Sequence, residues 1–258
     1  MRSIDLNCDC GESYGIYTLG NDEEMLKIVS SANIACGFHA GDPIVLHRTL
    51  DIAKKNGVGV GAHPSFLDQW GFGRRRIAVD NLKELEEIIV YQLAAICGVA
   101  QTLGLKVRHV KPHGSLGNMA AEDYDLSLAI GRAIKVVDPT MMYVVSPGNQ
   151  TERAAKDLGL PIATEIFADR AYDEMGNLMS RKRKGSIIHD AEYAAERIVQ
   201  ILEEEAITTV NGKKIPVKAD TVCVHGDNPN AVAMARHIRE RLVEAGYQIR
   251  PMWETKET

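Results

Sequence analysis

One stretch near residue 40 shows how apolar and polar positions follow each other along this chain. The apolar run Ser31-Ala-Asn-Ile-Ala-Cys leads into Gly-Phe-His39-Ala-Gly, and Asp42 and Pro43 come directly afterwards. Aspartate is a preferred residue at a helix N-cap, and proline at the first helical position. The pattern therefore predicts a strand that ends near His39 and a helix that begins immediately after it.

The same order of an apolar run, polar or glycine-flanked residues and a helix recurs along the chain. It is found at residues 5–9, 59–63, 107–113 and 221–227. Parallel strands alternating with helices present their reactive residues at the C-terminal strand ends, and such barrels commonly have about 250 residues. The 258 residues and seven strand–helix units therefore predict a single domain, residues 1–258, with a β/α barrel fold.

Periodicity and turn residues give the approximate bounds of the elements. The predicted strands cover residues 3–9, 58–63, 106–112, 141–146, 162–167 and 221–225, besides the run that begins at Ser31. The predicted helices cover residues 22–29, 43–56, 80–103, 122–137, 150–158, 189–205 and 230–245. Val210-Asn-Gly-Lys213 is typical of a type I′ turn between two short strands. We expect this hairpin to lie outside the core.

Alternation along each strand predicts which side chains point into the barrel. The inward positions of the first, third and fourth strands are Asp5, Asn7 and Asp9; Gly59, Gly61 and His63; and Val107, His109, Lys111 and His113. Inward glycines leave room for a ligand or for a close backbone segment. Lys111 and His113, at the end of the fourth strand, are expected to enter one cavity. The alternative for Lys111 is a buried structural lysine paired with Asp5 or Glu165.

Composition and charge exclude several classes of protein. A formal net charge of -5 argues against nucleic acid as the main partner. Five cysteines without paired spacing argue against a disulfide framework. The start Met1-Arg-Ser-Ile-Asp reaches charged residues too early for a signal peptide, and no apolar run approaches the roughly 18 residues of a membrane span. We therefore expect a cytoplasmic location and no contact with a membrane.

Ionisable residues converge at the predicted C-terminal ends of the strands. They are His39, His63, His113 and His225, with Asp9, Asp169 and Asp227. Burying this many ionisable groups by accident would be costly, so the pattern predicts a functional site at one mouth of the barrel. The basic run Arg181-Lys-Arg-Lys184 is typical of a solvated loop.

The chain resembles the LamB/YcsF family of lactam-utilisation proteins through six motifs distributed over its length. They are Asp5-Leu-Asn-Cys-Asp-Cys-Gly-Glu12, Ala32-Asn-Ile-Ala-Cys-Gly-Phe-His-Ala-Gly-Asp42, Gly61-Ala-His-Pro-Ser65 with Phe72-Gly-Arg74, Arg108-His-Val-Lys-Pro-His-Gly114, Phe167-Ala-Asp-Arg170 and Val222-Cys-Val-His-Gly-Asp227. The resemblance implies a seven-stranded TIM-like (β/α)7 barrel related to the glycoside hydrolase/deacetylase group. It also implies ATP-dependent opening of 5-oxo-L-proline to L-glutamate, as the A subunit of a 5-oxoprolinase with partner subunits B and C.

Opening a lactam by phosphorylation of its oxygen and attack of water needs a base, cationic groups and an acid. The candidate catalytic residues are Asp9, His63, Lys111, His113, His225 and Asp227. The candidate substrate-binding residues are Asn7, Glu12, His39, Asp42, Arg74, Asp169 and Arg170. ATP is the expected co-substrate, but the chain has no G-x-x-x-x-G-K-[ST] motif to hold it.

Two other functions are compatible with these residues. One is a metal-dependent hydrolase of the deacetylase type with Asp9, His39 and His63 as ligands, since aspartate and histidine suit a divalent ion. The other is a non-catalytic, substrate-binding subunit whose partners perform the chemistry. Metal content and the effect of single substitutions on turnover distinguish the three possibilities.

Overall fold

Seven of the apolar runs form parallel strands that close into a barrel in the computed structural model, which describes residues 2–225 and 230–255. The strands are β1 (Ser3–Cys10), β2 (Ser31–Ala35), β3 (Gly59–His63), β4 (Val107–Val110), β5 (Met142–Val145), β6 (Ile162–Phe167), β7 (Ala206–Thr208), β8 (Lys214–Pro216), β9 (Thr221–Cys223) and β10 (Gln248–Ile249). The first six pair in chain order, β6 pairs with β9, and β9 pairs back with β1. The predicted seven-stranded β/α barrel is confirmed.

Helices cover the outside of the barrel. They are α1 (Asp22–Met25), α2 (Pro43–Lys55), α3 (Leu82–Thr102), α4 (Gly114–Glu122), α5 (Tyr124–Val137), α6 (Gln150–Leu158), α7 (Ala191–Glu204) and α8 (Ala231–Glu244). The sequence predicts one helix over 122–137, whereas the structure has α4 and α5, with Asp123 as the N-cap of α5. Two glycines within the first four residues of α4, at 114 and 117, concealed its helical pattern.

Side-chain caps fix the points at which six of the eight helices in the described residues begin. Asp42 caps α2 by accepting the backbone N–H groups of its second and third residues, as predicted. For α1 the sequence predicts a helix from Asp22, as the cap, to Val29, and both the cap and the length are wrong. Asn21, not Asp22, is its N-cap, and the helix ends at Met25 instead of Val29.

The inward glycines of β3 make room for side chains, not for a ligand. A Cβ on Gly61 would overlap the imidazole of His109, and a Cβ on Gly59 would overlap the indole of Trp253. Trp253 comes from the C-terminal segment and packs beside Met252, which is fully buried among residues of β5 and β6. The C-terminal segment therefore fills the end of the barrel opposite the predicted site.

A layer of hydrogen-bonded polar side chains fills the middle of the barrel. The Asn7 amide donates to Glu165 and Thr221, and its side-chain oxygen accepts from Asn33. The side-chain oxygen of Asn33 in turn accepts from His109 Nε2, at 2.7 Å. Each of these side chains is fully or almost fully buried. The network satisfies polar groups that would otherwise destabilise the fold, although His109 Nδ1 has no hydrogen-bond partner.

The hairpin of β7 and β8 lies outside the barrel, as predicted. Its turn is not type I′, because that turn needs two residues with positive φ and only Gly212 has one within residues 209–213. The hairpin packs on the loop that follows β6. The Val210 N–H donates to the Tyr172 carbonyl at 2.9 Å, and Ile215 lies against Gly176.

Two further features concern the whole chain. All five cysteines are free thiols, and four of them are buried. Among the helices of the described residues, none combines the length and the apolar character needed to cross a bilayer.

Candidate active site

A cavity of about 790 Å³ opens at the C-terminal ends of the barrel strands. Eight of the residues predicted for the site line it: Asp9, Glu12, His63, Arg74, Lys111, His113, Arg170 and His225. These residues come from different strands and from the loops after them. The convergence arises because parallel strands deliver their last side chains to the same end of a barrel.

Lys111 lies at the floor of this cavity between two carboxylates. Its Nζ is 3.0 Å from Asp9 Oδ1 and 2.9 Å from Glu165 Oε1, and it also contacts Cys223 Sγ at 3.0 Å. Burial alone would lower the pKa of the Lys111 ammonium, but Asp9 and its neighbours raise that pKa well above its ordinary value. Lys111 is therefore a fixed positive charge.

Asp9 is a fixed negative charge in the same group. Burial alone would raise the pKa of its carboxyl, but His63 and Lys111 lower that pKa well below the ordinary value. One oxygen is already occupied by Lys111 and by the Asn33 amide, which donates at 2.9 Å. An anion held in this way is a weak proton acceptor. Asp9 is therefore better placed to orient the Lys111 ammonium than to act as a general base.

His225 and Asp169 form a dyad at the wall of the cavity. The Nδ1 atom of His225 is 2.8 and 2.9 Å from the two carboxylate oxygens of Asp169. Asp169 is buried and does not line the cavity within the described residues, whereas His225 does. A carboxylate accepting from Nδ1–H leaves the other ring nitrogen, Nε2, available as a proton acceptor.

A cluster of three imidazoles and one carboxylate forms the neighbouring part of the wall. His39, His63, His113 and Glu12 can bring one ligand atom each within 4.8 Å of all the others. His39 is buried behind this wall, with its ring stacked on His113 at 3.7 Å and its Nε2 3.0 Å from Glu12 Oε1. Of the predicted metal ligands Asp9, His39 and His63, the two histidines belong to this cluster. Asp9 is paired with Lys111 through Oδ1, and its Oδ2 is 3.4 Å from His63 Nε2.

Another part of the cavity wall is basic. Arg181, Lys182 and Arg183 line the cavity together with Arg170. The run is a solvated loop, as predicted, with Lys182, Arg183 and Lys184 exposed, and it also forms part of the cavity wall. Burial lowers the pKa of the Arg170 guanidinium to about 10, which leaves it charged at neutral pH. Arg170 donates to the carbonyl of Met179 and thereby attaches the loop to the end of β6.

Some predicted site residues have other positions. Asn7 belongs to the polar layer below the cavity, and the carboxylate of Asp42 is occupied by the N–H groups of α2 and of Gly15. Neither residue lines the cavity in the part of the chain that is described. We therefore correct their assignment from substrate contact to structural support. Asp227 lies outside the described residues.

Sequence patterns suggested Glu165 only as a structural partner of Lys111 and missed it as a residue of the cavity. Glu165 lies in β6 between Ala163 and Phe167, and all three face the barrel interior. Period-two alternation, traced back from Asp169 through Phe167, identifies the inward position of Glu165. The choice between Asp5 and Glu165 as the partner of Lys111 could not be made in the same way, because it depends on the relative register of strands.

The fold and the cavity define a seven-stranded parallel β/α-barrel protein with its ionisable side chains gathered at the C-terminal strand ends. The chain belongs to the LamB/YcsF family, whose model matches residues 4–257.

Individual relatives agree with this assignment. The chain is 47% identical over 248 residues to the 5-oxoprolinase A subunit of Rhodopseudomonas palustris, covering 96% of this chain and 98% of that protein. It is 42% identical to the crystal structure of the lactam utilization protein from Thermus thermophilus, with a TM-score of 0.91 and coverage of 96% and 99%. A GH113 β-1,4-mannanase shares the fold alone, at 11% identity and a TM-score of 0.52, with coverage of 93% and 99%.

Proposed function

We propose that this chain is the A subunit of an ATP-dependent 5-oxoprolinase, which opens 5-oxo-L-proline to L-glutamate while ATP is converted to ADP and phosphate. The observation that carries the proposal is the full-length similarity to relatives with that name, at 46–47% identity. The cavity supports it, because it combines a fixed cation, a histidine–aspartate dyad and a basic wall.

The proposed reaction begins with transfer of the ATP γ-phosphoryl group to the lactam oxygen, which makes the ring carbon electrophilic. Water then adds to that carbon, the ring C–N bond breaks as the nitrogen takes a proton, and a second water releases phosphate. Arg170 and the basic run at 181–183 line the cavity where they can hold the phosphoryl group. Lys111 supplies positive charge to the oxygen that becomes negative.

His225 is the proposed proton carrier. Its Nδ1 is held by Asp169, so its Nε2 is the atom that accepts a proton from water and returns it to the leaving nitrogen. Asp9, paired with Lys111, keeps that ammonium in position at the floor. In this assignment Asp169 is a positioning residue and does not contact the substrate.

We further propose that two partner subunits, B and C, are needed for turnover. The chain has no P-loop motif, so an essential part of the nucleotide site is assigned to a partner. A cytoplasmic location is part of the same proposal. The proposed use of ATP and the five free thiols support it.

The test is formation of ADP and glutamate from ATP and 5-oxoproline by the chain alone, by the two partners alone and by all three together. We expect turnover only with all three. Robust turnover by the isolated chain would contradict the dependence on partners, and no turnover by the complete set would contradict the proposed activity. A His225→Gln chain that assembles but supports normal turnover would favour a non-catalytic subunit.

A further inference from the structure

The imidazoles of His63 and His113 face each other through nitrogens that carry no proton in their neutral forms. His63 Nδ1–H donates to the Lys111 carbonyl at 2.6 Å, and His113 Nε2–H donates to the Phe72 carbonyl at 2.9 Å. A carbonyl oxygen can only accept, so these contacts fix both tautomers. The remaining nitrogens, His63 Nε2 and His113 Nδ1, are 3.0 Å apart, and Asp9 Oδ2 is 3.4 Å from His63 Nε2. Two lone pairs at that distance repel each other unless a cation lies beside them.

A carboxylate completes the group of electron-pair donors. Glu12 Oε1 is 3.5 Å from His113 Nδ1, and all the donor atoms lie within 4.8 Å of one another. One shared proton would satisfy only the pair of histidines, whereas one ion can satisfy all three side chains. An ion at 2.0–2.2 Å from tetrahedral ligands separates them by about 3.4 Å, close to the distances found here.

We propose that Glu12, His63 and His113 form a binding site for one divalent transition-metal ion, for which Zn²⁺ is the probe. Two histidines and one glutamate are a known ligand set of catalytic zinc, with a further position left open. All three side chains line the large cavity, so the open position faces the space in which a substrate binds. An ion there supplies a Lewis acid to that space.

His39 is excluded as a ligand by its orientation. Its ring lies parallel to that of His113, at an interplanar angle of 5° and a centroid distance of 3.7 Å. A histidine binds a metal along a lone pair in the plane of its ring, and lone pairs of two parallel stacked rings do not meet at one point. The contact of His39 Nε2 with Glu12 Oε1 at 3.0 Å instead orients the carboxylate.

Each proposed ligand therefore has a second group that holds it in place. The partners are the Lys111 carbonyl for His63, the Phe72 carbonyl for His113 and the His39 ring for Glu12. Metal-binding histidines almost always donate their second ring N–H in this manner. The other cluster, Asp9 with Cys223 and His225, is a poorer candidate, because the Lys111 ammonium already contacts Asp9 and Cys223.

The experiment is calorimetric titration of the metal-free full chain with Zn²⁺, followed by Co²⁺ loading and visible absorption spectroscopy. We expect one ion per chain, a higher melting temperature with Zn²⁺ and ligand-field bands of Co²⁺. Glu12→Gln and His113→Gln should each weaken binding by more than about 100-fold. His39→Phe, which keeps the ring stack but loses the contact with Glu12, should weaken binding by about 10–100-fold.

His47→Gln is the matched control, since His47 is an exposed histidine of α2, and it should bind like the wild type. Absence of binding by the wild type, or unchanged binding by both ligand variants, would overturn the proposal. A ligand variant that unfolds without metal is replaced by His63→Gln and assessed by the same spectrum. These measurements use the isolated chain and no 5-oxoproline, so their outcome is independent of the proposed activity.

Discussion

Lys111 contributes both to the buried ion pairs of the barrel and to the lining of the cavity. Its ammonium is paired with Asp9 and Glu165, which makes it part of the buried charge balance of the barrel. Of the two structural partners that the sequence leaves open, Asp5 and Glu165, the second is the one observed. The same ammonium lines the cavity. A substitution at this position should therefore affect both stability and turnover.

For Lys111→Met we expect a loss of about 3–5 kcal/mol in unfolding free energy, because two buried carboxylates lose their partner. Turnover of the reconstituted complex should fall by on the order of 10²-fold or more. Adding Glu165→Gln to Lys111→Met removes one uncompensated charge and should recover part of the stability without recovering turnover. Denaturant unfolding and steady-state kinetics measure the two effects, and a fully active Lys111→Met complex would refute the catalytic role.

Asp169 acts through His225, so its substitution should change the rate without changing affinity. Asp169→Asn keeps the size of the side chain but can donate to His225 Nδ1 and thereby favours the wrong tautomer. We expect kcat of the complex to fall by about 10²–10⁴-fold with little change in KM. In a His225→Gln background, Asp169→Asn should cause little further loss. Additive losses would show that the two residues do not act as a unit.

Asp5 makes the stability of the barrel depend on pH. Burial is the main cause that raises the pKa of its carboxyl from 3.8 to about 6, although three hydroxyl groups donate to it. The folded state keeps this proton to a higher pH than the unfolded state does. The resulting stabilisation is present below about pH 4 and is lost as the pH rises through about 6.

Asp5→Asn removes this titration. The unfolding free energy of the wild type relative to Asp5→Asn should fall by about 3 kcal/mol as the pH rises from below 4 to above 6. The measurement is urea unfolding of both proteins across this range, in which every other titrating group cancels in the difference. A difference that stays constant with pH would show that Asp5 has the same pKa in the folded and unfolded states.

At the scale of elements, the long loop after β6 is the least regular part of the chain, yet backbone hydrogen bonds hold it in place. The Ala171 N–H donates to the Ser186 carbonyl, and the Ile188 N–H donates to the Asp169 carbonyl. The hairpin of β7 and β8 supports it from outside through Tyr172. The loop can therefore present the basic run at 181–183 to the cavity in a defined position.

The basic run at 181–184 contains residues that line the cavity and one that does not, so their contributions to substrate binding can be compared. Lys182 and Arg183 line the cavity, whereas Lys184 is exposed and is not among its lining residues within the described chain. The double variant Lys182→Gln/Arg183→Gln should raise KM for ATP by about two- to tenfold. The effect is small because each exposed charge contributes little to binding. Its KM should also depend less on salt. Lys184→Gln should behave like the wild type, and an equal effect of both variants would indicate only a change in net charge.

Sequence patterns predicted the elements that depend on local chemistry. The Asp42 cap with Pro43, the inward face of β1 and the position of Lys111 at a strand end all follow from spacing. The same sequence patterns could not predict side-chain contacts that depend on the register between strands. The selection of Glu165 as partner of Lys111 and the occupation of the space at Gly61 by His109 both belong to this class.

At the scale of the whole molecule, the two ends of the barrel differ in their contents. The C-terminal strand ends surround an open cavity with ionisable walls. The other end is closed by Met252 and Trp253, which pack against Met142 and Ala163 inside the barrel. In β/α barrels the C-terminal face carries the chemistry and the opposite face contributes to stability. Substitutions at the closed end should therefore change the free energy of unfolding and leave turnover intact.

Gly59 and Trp253 allow this separation to be tested. Gly59→Ala should cost about 1–3 kcal/mol, because the new methyl group overlaps the rigid indole. Trp253→Ala should cost about 3 kcal/mol through the cavity it leaves. In the Trp253→Ala background the cost of Gly59→Ala should disappear. The methyl group at position 59 then occupies the space left by the indole, and alanine is less flexible than glycine in a strand.

Gly61→Ala is the matched control for this double-mutant cycle. Its methyl group overlaps His109 instead of Trp253, so its cost should be the same in the wild type and in the Trp253→Ala background. Denaturant unfolding gives the coupling energies, and turnover of the reconstituted complex with Trp253→Ala alone should stay near the wild-type value. Equal costs of Gly59→Ala in both backgrounds would show that the indole does not fill the barrel at β3, because only contact between the two residues makes their effects depend on each other.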